Sequence, residues 1–243
     1  MNRQARAVAS CAGLLASGLF RLALAAGPVQ APVQVPDTLA QRLAPCTACH
    51  GVEGRSVGGA YVPRIAGKPA GYLFEQLLNF RDGRRHNATM AGLLDLLPDA
   101  YLREIAQHFS TLDFPHDRPA VPGAPPALLA RGEALARRGD PARELPACAE
   151  CHGAQLTGAL PAIPGLLGLP RDYLLAQLGA WRTGARHAVA PDCMSEVARR
   201  LSPDDLLAVA AWLSAQAVPQ PMRPAPPPDR PAPLRCGSAG HPR

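Results

Sequence analysis

The sequence contains one segment twice, and this duplication constrains the fold more than any other feature. Residues 46–50 read Cys-Thr-Ala-Cys-His, and residues 148–152 read Cys-Ala-Glu-Cys-His, 102 positions later. Further residues match in the same order, with only two small changes in spacing. They are Pro63, Gly67, Tyr72, Gln76, Arg81, Arg85, His86 and Met90, which return as Pro164, Gly168, Tyr173, Gln177, Arg182, Arg186, His187 and Met194. We therefore predict a tandem duplication in which both halves adopt the same fold.

Proline-rich stretches set the limits of the two repeats. The chain has 28 prolines, and many of them lie between the repeats or after the second one. We predict a semi-rigid linker at 115–126 and an extended or disordered tail at 219–243. These limits leave a first domain at 26–114 and a second domain at 127–218.

Mostly apolar residues recur at spacings of three and four in both repeats, which is typical of helices that bury one face. The stripe consists of Tyr72, Leu73, Gln76, Leu77 and Phe80 and, in the second repeat, of Tyr173, Leu174, Gln177, Leu178 and Trp181. The predicted helices lie at 69–82 and 170–183, after Pro98 and after Ser202, and at 126–138 with a shorter partner at 37–43. The predicted fold class is therefore all-α, with two small helical bundles in tandem.

The first 25 residues are typical of a secretory signal peptide that is removed on export. The basic residues Arg3 and Arg6 precede the uncharged stretch Ala7–Phe20, and the small residues of Ala23–Ala25 follow. At 14 residues, the uncharged stretch is too short to span a bilayer. We therefore predict an exported protein that has no transmembrane segment once the signal is removed.

The positive charge of the chain does not indicate a nucleic-acid partner. The formal net charge is +6, but three of the arginines lie in the predicted signal peptide, which leaves about +3. Lys68 is the only lysine, and the sequence has no basic run and no alternation of basic and aromatic residues. We expect the arginines to lie at the solvent-exposed surface.

The repeated Cys-x-x-Cys-His motif is the attachment signature of c-type haem. Each thiol forms a thioether with a haem vinyl group, and the adjacent histidine is then placed below the iron as an axial ligand. Two copies predict two covalently attached haem c groups. The predicted attachment residues are Cys46, Cys49, Cys148 and Cys151, and the predicted histidine ligands of iron are His50 and His152.

Three other uses of the cysteine pairs explain the sequence less well. A zinc site would need both pairs together, but the pairs lie in separate repeats. A thioredoxin-like redox pair expects a strand-and-helix context that is absent from the pattern. Structural disulfides are compatible with export. None of the three explains why a histidine follows each pair.

A methionine occurs once per repeat at matched positions and is the predicted second axial ligand. Met90 and Met194 follow the motif histidines by 40 and 42 residues, ahead of the last helix of each repeat. Histidine and methionine together raise the haem potential and leave no open coordination site. His86 and His187 are the rival ligands because they also repeat, although we expect them on surface loops.

Two cysteines remain after haem attachment, if Cys11 is removed with the signal. Cys193 lies beside Met194 and has no partner in the first repeat, and Cys236 lies in the tail. We predict that they form a disulfide that pins the tail near the edge of the second haem. The alternative is that Cys193 reaches the iron or reacts with a sulfur compound.

These residues together resemble the diheme class I cytochromes c of the cytochrome c4 type, over about residues 36–219. The resemblance implies two all-helical domains related by a pseudo-twofold axis, with adjacent haem edges. It also implies that the carbonyl oxygens of Pro63 and Pro164 accept hydrogen bonds from the ligating histidines. Members of this family look like periplasmic carriers between respiratory complexes and terminal oxidases. Cys193 and the proline-rich tail depart from the family pattern.

The predicted function is that of a periplasmic electron carrier and not of an enzyme. The expected partners are redox proteins, such as a quinol-oxidising complex, a terminal oxidase or a dehydrogenase. The alternative is a cytochrome subunit of a dehydrogenase, or a haem enzyme that oxidises a sulfur compound near Cys193. The sequence shows no acid–base pair or nucleophile triad that would favour the enzyme.

Overall fold

The computed structural model describes residues 37–56, 61–116 and 123–239. These residues form one compact unit that is mostly helical, as predicted. The α-helices of this described part are α1 (Leu39–His50), α2 (Ala70–Arg81), α3 (Ala88–Leu94), α4 (Asp99–Thr111), α5 (Pro126–Arg138), α6 (Cys148–His152), α7 (Arg171–Thr183), α8 (Cys193–Arg200) and α9 (Pro203–Ala215). A two-residue hairpin, β1 (Gly158–Ala159) with β2 (Ile163–Pro164), lies between α6 and α7. The predicted signal peptide, residues 1–25, and Cys11 lie outside the described residues.

The two repeats contain the same series of helices after the Cys-x-x-Cys-His motif. Helices α2 and α7 lie where the apolar stripes predicted them, and α4 and α9 follow Pro98 and Ser202. A short helix, α3 or α8, carries the methionine of each repeat near its first turn. Both short helices begin at a side-chain cap, since Asn87 accepts from the Met90 amide and Asp192 accepts from the Ser195 amide.

The segment before the motif differs between the repeats. In the first repeat, α1 continues through the motif to His50, whereas the sequence predicted a shorter helix at 37–43. In the second repeat, α5 ends at Gly139, whose φ is 66°. A Cβ atom there would lie 2.3 Å from the Leu145 carbonyl oxygen, so only glycine allows this turn. The chain then turns back before α6 begins.

Each repeat has its own apolar core. The first core contains Leu43, Leu73, Phe74, Leu78, Phe80, Leu94, Leu102, Ile105, Ala106 and Phe109. The second core contains residues of α5, α7 and α9, among them Leu135, Tyr173, Leu174, Leu178, Val209, Trp212 and Leu213. Helix α5 crosses α9 closely at Gly132, where a Cβ atom would lie 2.1 Å from the Ala208 carbonyl oxygen. The two cores therefore correspond to the two halves of the duplication.

The described part of the tail contains no helix, and it is attached to the second half. Ala225 forms a parallel bridge with Ala159, because its amide donates to the Gly158 carbonyl and its carbonyl accepts from the Leu160 amide. Cys236 forms a disulfide with Cys193. The proline-rich composition predicted an extended tail but not where the tail is attached.

Asp205 is a buried carboxylate that ties α5 and α9 together in the second half. Its side chain has no solvent exposure and accepts from Arg131 at 2.8 Å and from Arg143 at 2.6 Å. It also forms a reciprocal capping box with Ser202 at the start of α9. Burial opposes ionisation, but the arginines and Ser202 outweigh it and hold the pKa of Asp205 well below its usual range. The corresponding residue of the first repeat is Tyr101, which instead donates to the Arg42 carbonyl.

We predict that Asp205→Asn lowers the free energy of unfolding by about 1–3 kcal/mol at neutral pH. The loss stays below that for a fully buried ion pair because Arg131 and Arg143 are 50% and 36% exposed and can be hydrated. A carboxylate with a lowered pKa stabilises the fold above its unfolded pKa, so the difference between variant and wild type narrows as the pH falls below about 4. Urea unfolding of the haem-loaded protein at several pH values measures this. Asp204→Asn, on the exposed side of the same helix turn, is the matched control, and equal losses in both variants would contradict the prediction.

Candidate haem sites

The second Cys-x-x-Cys-His motif forms the short helix α6, which ends at its histidine. Nδ1 of His152 lies 2.7 Å from the Pro164 carbonyl oxygen in β2. Because a carbonyl can only accept, Nδ1 carries the proton, and Nε2 keeps a free lone pair for a metal. Burial lowers the pKa of His152, and the contact with Pro164 opposes this only in part. The structure therefore presents a neutral imidazole in a fixed orientation.

The first motif has the same arrangement at the end of α1. Nδ1 of His50 lies 2.9 Å from the Pro63 carbonyl oxygen. Burial likewise lowers the pKa of His50. Cys46 is half-buried against the first core, whereas Cys49 is exposed. The contact that the family resemblance implied for each histidine is present in both halves.

A cavity of about 170 Å³ lies in the second half, next to its junction with the first. Cys148, Cys151 and His152 contribute to its lining, and so does Met194 from α8. The remaining wall is mainly aliphatic and includes Leu166, Leu169, Leu174, Leu178, Val197, Leu201, Val209 and Leu213. The structure thus brings the four predicted attachment and ligand side chains of the second half to one apolar cavity.

The donor set of this cavity fits a c-type haem, since two thiols could bond to vinyl groups while an imidazole and a thioether could bind iron. Burial raises the pKa of Cys148 to about 11 and also raises that of Cys151, so neither sulfur is a reactive thiolate at neutral pH before attachment. Among the described residues, no group of three histidine, cysteine or acidic side chains is placed to hold a metal ion. Trp181 Nε1 is buried beside the cavity without a hydrogen-bond acceptor in the described structure. A bound haem would offer carboxylate oxygens to such a donor.

The methionines occupy equivalent places, and the rival histidines lie elsewhere. Met194 lines the second cavity, and Met90 is partly buried against the first core. The side chains of His86 and His187 are both exposed. Their backbone amides donate across the junction between the halves, from His86 to the Ala185 carbonyl and from His187 to the Arg84 carbonyl. This geometry favours the methionines over these histidines as ligands.

Two arginines at the junction were expected at the surface, and that expectation is wrong for both. Arg85 is 9% exposed and Arg186 is 4% exposed. Each guanidinium donates to both Gln76 and Gln177, with distances of 2.7–2.9 Å, and Arg85 also donates to the Tyr173 hydroxyl. We call this group, with Tyr72, the seam. Sequence reasoning missed it, although all six of its members repeat with the duplication.

The seam concentrates positive charge without a carboxylate of the described chain to balance it. Burial, together with the charge of Arg85, lowers the pKa of Arg186 to about 10. Burial disfavours the ionised form of Tyr72, but the charges of Arg186, Arg85 and Lys68 outweigh it and lower the pKa of Tyr72 to about 8. Aromatic rings offset part of the free-energy cost of burying the two guanidinium groups, since Arg186 stacks on Trp181 and Arg85 stacks on Phe80. Acidic groups such as haem propionates would neutralise the positive charge that remains.

The predicted disulfide between Cys193 and Cys236 is present. A cysteine held in a disulfide has no thiolate. Cys193 is therefore not available to bind iron or to attack a sulfur compound, which were the alternatives that the sequence left open. Within the described ranges, no helix is long and apolar enough to cross a membrane.

Comparison with known proteins identifies two groups of relatives. No family model matches the chain. It is 41% identical to the thiosulfate dehydrogenase electron acceptor of Thiomonas intermedia over 173 residues, covering 71% of this chain and 79% of that protein. It is 35% identical to cytochrome c4 of Pseudomonas aeruginosa, covering 82% and 94%. The crystal structure of reduced cytochrome c4 from Pseudomonas stutzeri superposes with a TM-score of 0.63 at 33% identity, over 73% of this chain and 96% of that one.

We predict that Gln177→Ala lowers the free energy of unfolding by about 1–3 kcal/mol, because Arg85 and Arg186 each lose a buried acceptor. Urea unfolding of the haem-loaded protein measures the loss. Gln107→Ala is the matched control, since Gln107 lies exposed on α4 and the change in helix propensity is the same. Equal unfolding midpoints for the two variants would show that the seam contributes nothing to stability.

Proposed function

This chain belongs to the cytochrome c4 family of diheme electron-transfer proteins, and we propose that it works in the periplasm as the electron acceptor of a thiosulfate-oxidising dehydrogenase. As a family member it carries two covalent haem c groups and is an electron carrier, not an enzyme. The proposal adds the axial ligands, His50 with Met90 and His152 with Met194, and the identity of the electron donor.

The observation that carries the ligand assignment is the second cavity. It brings two thiols, an imidazole with a free Nε2 and a thioether to one apolar space. The covalent haem supplies a one-electron iron couple. Thioether bonds to Cys148 and Cys151 would hold the group in register, and the Pro164 carbonyl keeps the His152 ring aligned. The aliphatic wall excludes water, which limits the rearrangement that a change of charge requires.

The seam supports electron exchange between the two halves. Gln76 and Gln177, on α2 and α7, each bind arginines from both halves, so these helices keep a fixed separation. Both helices also contribute to the surroundings of the second cavity, α2 through Tyr72 and Gln76. Because electron transfer slows steeply with distance, this rigid attachment favours transfer from one site to the other.

The donor assignment is supported by the relative that is named as an acceptor for thiosulfate dehydrogenase. The periplasm is supported by the predicted signal peptide at 1–25 and by the Cys193–Cys236 disulfide, since disulfides persist in oxidising compartments. With two ligands from the chain at each iron, no coordination site is left for a substrate.

We predict that Met90→His and Met194→His each remove about half of the ferric methionine–iron charge-transfer absorption and that the double variant removes all of it. The protein is matured in a periplasm that has haem-attachment machinery, and intact mass establishes that two haems are bound in each variant. Met222→Leu is the control, since Met222 lies in the tail, where it packs against the second core. An unchanged absorption in either single variant would contradict the ligand assignment for that site.

We predict that a purified thiosulfate dehydrogenase, in catalytic amounts and with thiosulfate, reduces both haems. The rate should fall as salt is added, because encounters between redox proteins are steered by charge. The matched control replaces the donor with a quinol-oxidising complex and its quinol at equal turnover. Fast reduction by that complex and none by thiosulfate dehydrogenase would overturn the donor assignment while leaving the carrier function intact.

A further inference from the structure

The tail crosses the second half and has no counterpart in the first half. It is held first at Ala225, which pairs with β1 through two backbone hydrogen bonds of 2.9 Å. Before that point Met222 packs against the second core, where its Cε would be 2.4 Å from a Cβ atom at Gly165. The proline-rich run that follows is exposed. The chain then returns to the protein at its second attachment.

The second attachment lies beside the proposed ligand Met194. Cys236 is bonded to Cys193, the residue just before Met194 and the first residue of α8. The next amide, of Gly237, donates to the Pro191 carbonyl at 2.9 Å. A Cβ atom at Gly237 would lie 2.4 Å from the carbonyl oxygens of Val189 and Ala190, so the tail lies directly against this loop. The tail packs against residues 189–191 more closely than attachment through the disulfide alone would require.

The end of the tail forms part of the cavity wall. Leu234, Cys236, Ser238 and Ala239 line the cavity that Cys148, His152 and Met194 also line. The Ser238 hydroxyl is buried there without a hydrogen-bond partner in the described structure. A buried hydroxyl without a partner is costly, and a group bound in the cavity could supply that partner.

Among the described residues, no segment of the first half corresponds to this cover. The residue that corresponds to Cys193 is Thr89, so no disulfide can form there. Cys49 of the first motif is exposed, and three large apolar side chains of the first half are exposed as well. Their exposed fractions are 83% for Val52, 78% for Tyr61 and 91% for Leu96. The two halves share the same motif residues, but the described residues leave the first motif more exposed to solvent than the second.

We propose that residues 234–239 form a strap, locked by the Cys193–Cys236 disulfide, that closes the second haem site beside Met194. The strap makes the first haem the point at which outside molecules reach the protein. The second haem then exchanges electrons mainly through the seam. This inference rests on the proposed ligation by Met90 and Met194.

The test measures how fast imidazole displaces methionine from ferric iron in the haem-loaded protein. In a Met90→His background the charge-transfer absorption reports Met194 alone, and in a Met194→His background it reports Met90 alone. Cys193→Ser with Cys236→Ser removes the lock without leaving a free thiol. We expect displacement of Met194 to become at least about tenfold faster, since the cross-link that holds the strap is lost. Displacement of Met90 should stay unchanged.

A second form of the test avoids any folding defect of the serine variant. The folded Met90→His protein is treated with a water-soluble phosphine, which reduces the disulfide to two thiols, and the thiols are alkylated. The same increase in displacement rate is expected. Equal rates before and after opening the disulfide, in both forms of the test, would overturn the strap.

A separate outcome identifies failure of the proposed function. If the Met90→His protein lacks the charge-transfer absorption from the start, the ligation by Met194 is wrong. Amide hydrogen exchange in α8, which can be measured without the charge-transfer absorption, then decides the strap. Faster exchange in Cys193–Arg200 after opening the disulfide supports closure by the strap, and unchanged exchange overturns it.

Discussion

Two buried arginines that face each other hold the halves of this protein in a fixed arrangement. Arg85 and Arg186 carry the same charge in a poorly hydrated place, which by itself would drive the halves apart. The repulsion is offset because each guanidinium shares the same two amide oxygens, of Gln76 and Gln177, and lies on an aromatic face. Since every member of the seam comes from a duplicated position, the contact is reciprocal. Duplication therefore supplied both domains and the means to join them.

The halves agree in the residues that we propose to hold the haem and differ in their surroundings. Both present a histidine whose Nδ1 donates to a proline carbonyl, and both carry a methionine at the start of a capped short helix. In contrast, the pair Asp205 and Ser202 has no equivalent in the first half, where Tyr101 stands at the matching position. The halves therefore differ in the contacts that stabilise them and in how far solvent reaches their motifs, but they share the proposed iron ligands.

Local sequence patterns predicted the helices, but they did not predict the contacts between residues far apart in the chain. The stripe from Tyr72 to Phe80 predicted α2, because spacing along the chain determines which face of a helix is buried. The attachment residues that the Cys-x-x-Cys-His motif indicates remain a prediction. The seam joins residues 88 to 110 positions apart, and arginine is a surface residue by default. Only the repetition of arginine with glutamine at matched positions could have indicated a shared role. Proline content likewise predicted an extended tail but gave no information on which surface it would follow.

The described residues favour electron transfer over catalysis for reasons of chemistry and not only of similarity. A haem enzyme needs an open coordination site or polar groups that converge on the substrate. The wall of the second cavity is mainly aliphatic, and both His152 and Met194 line it. The polar groups at its edge, Gln76, Gln177 and Arg186, bind one another in the seam. The one cysteine that could have reacted with a sulfur compound, Cys193, is consumed in attaching the tail. Cys193 thus attaches the strap that closes the second site. The second half then works as an electron relay, which outside molecules reach through the first half.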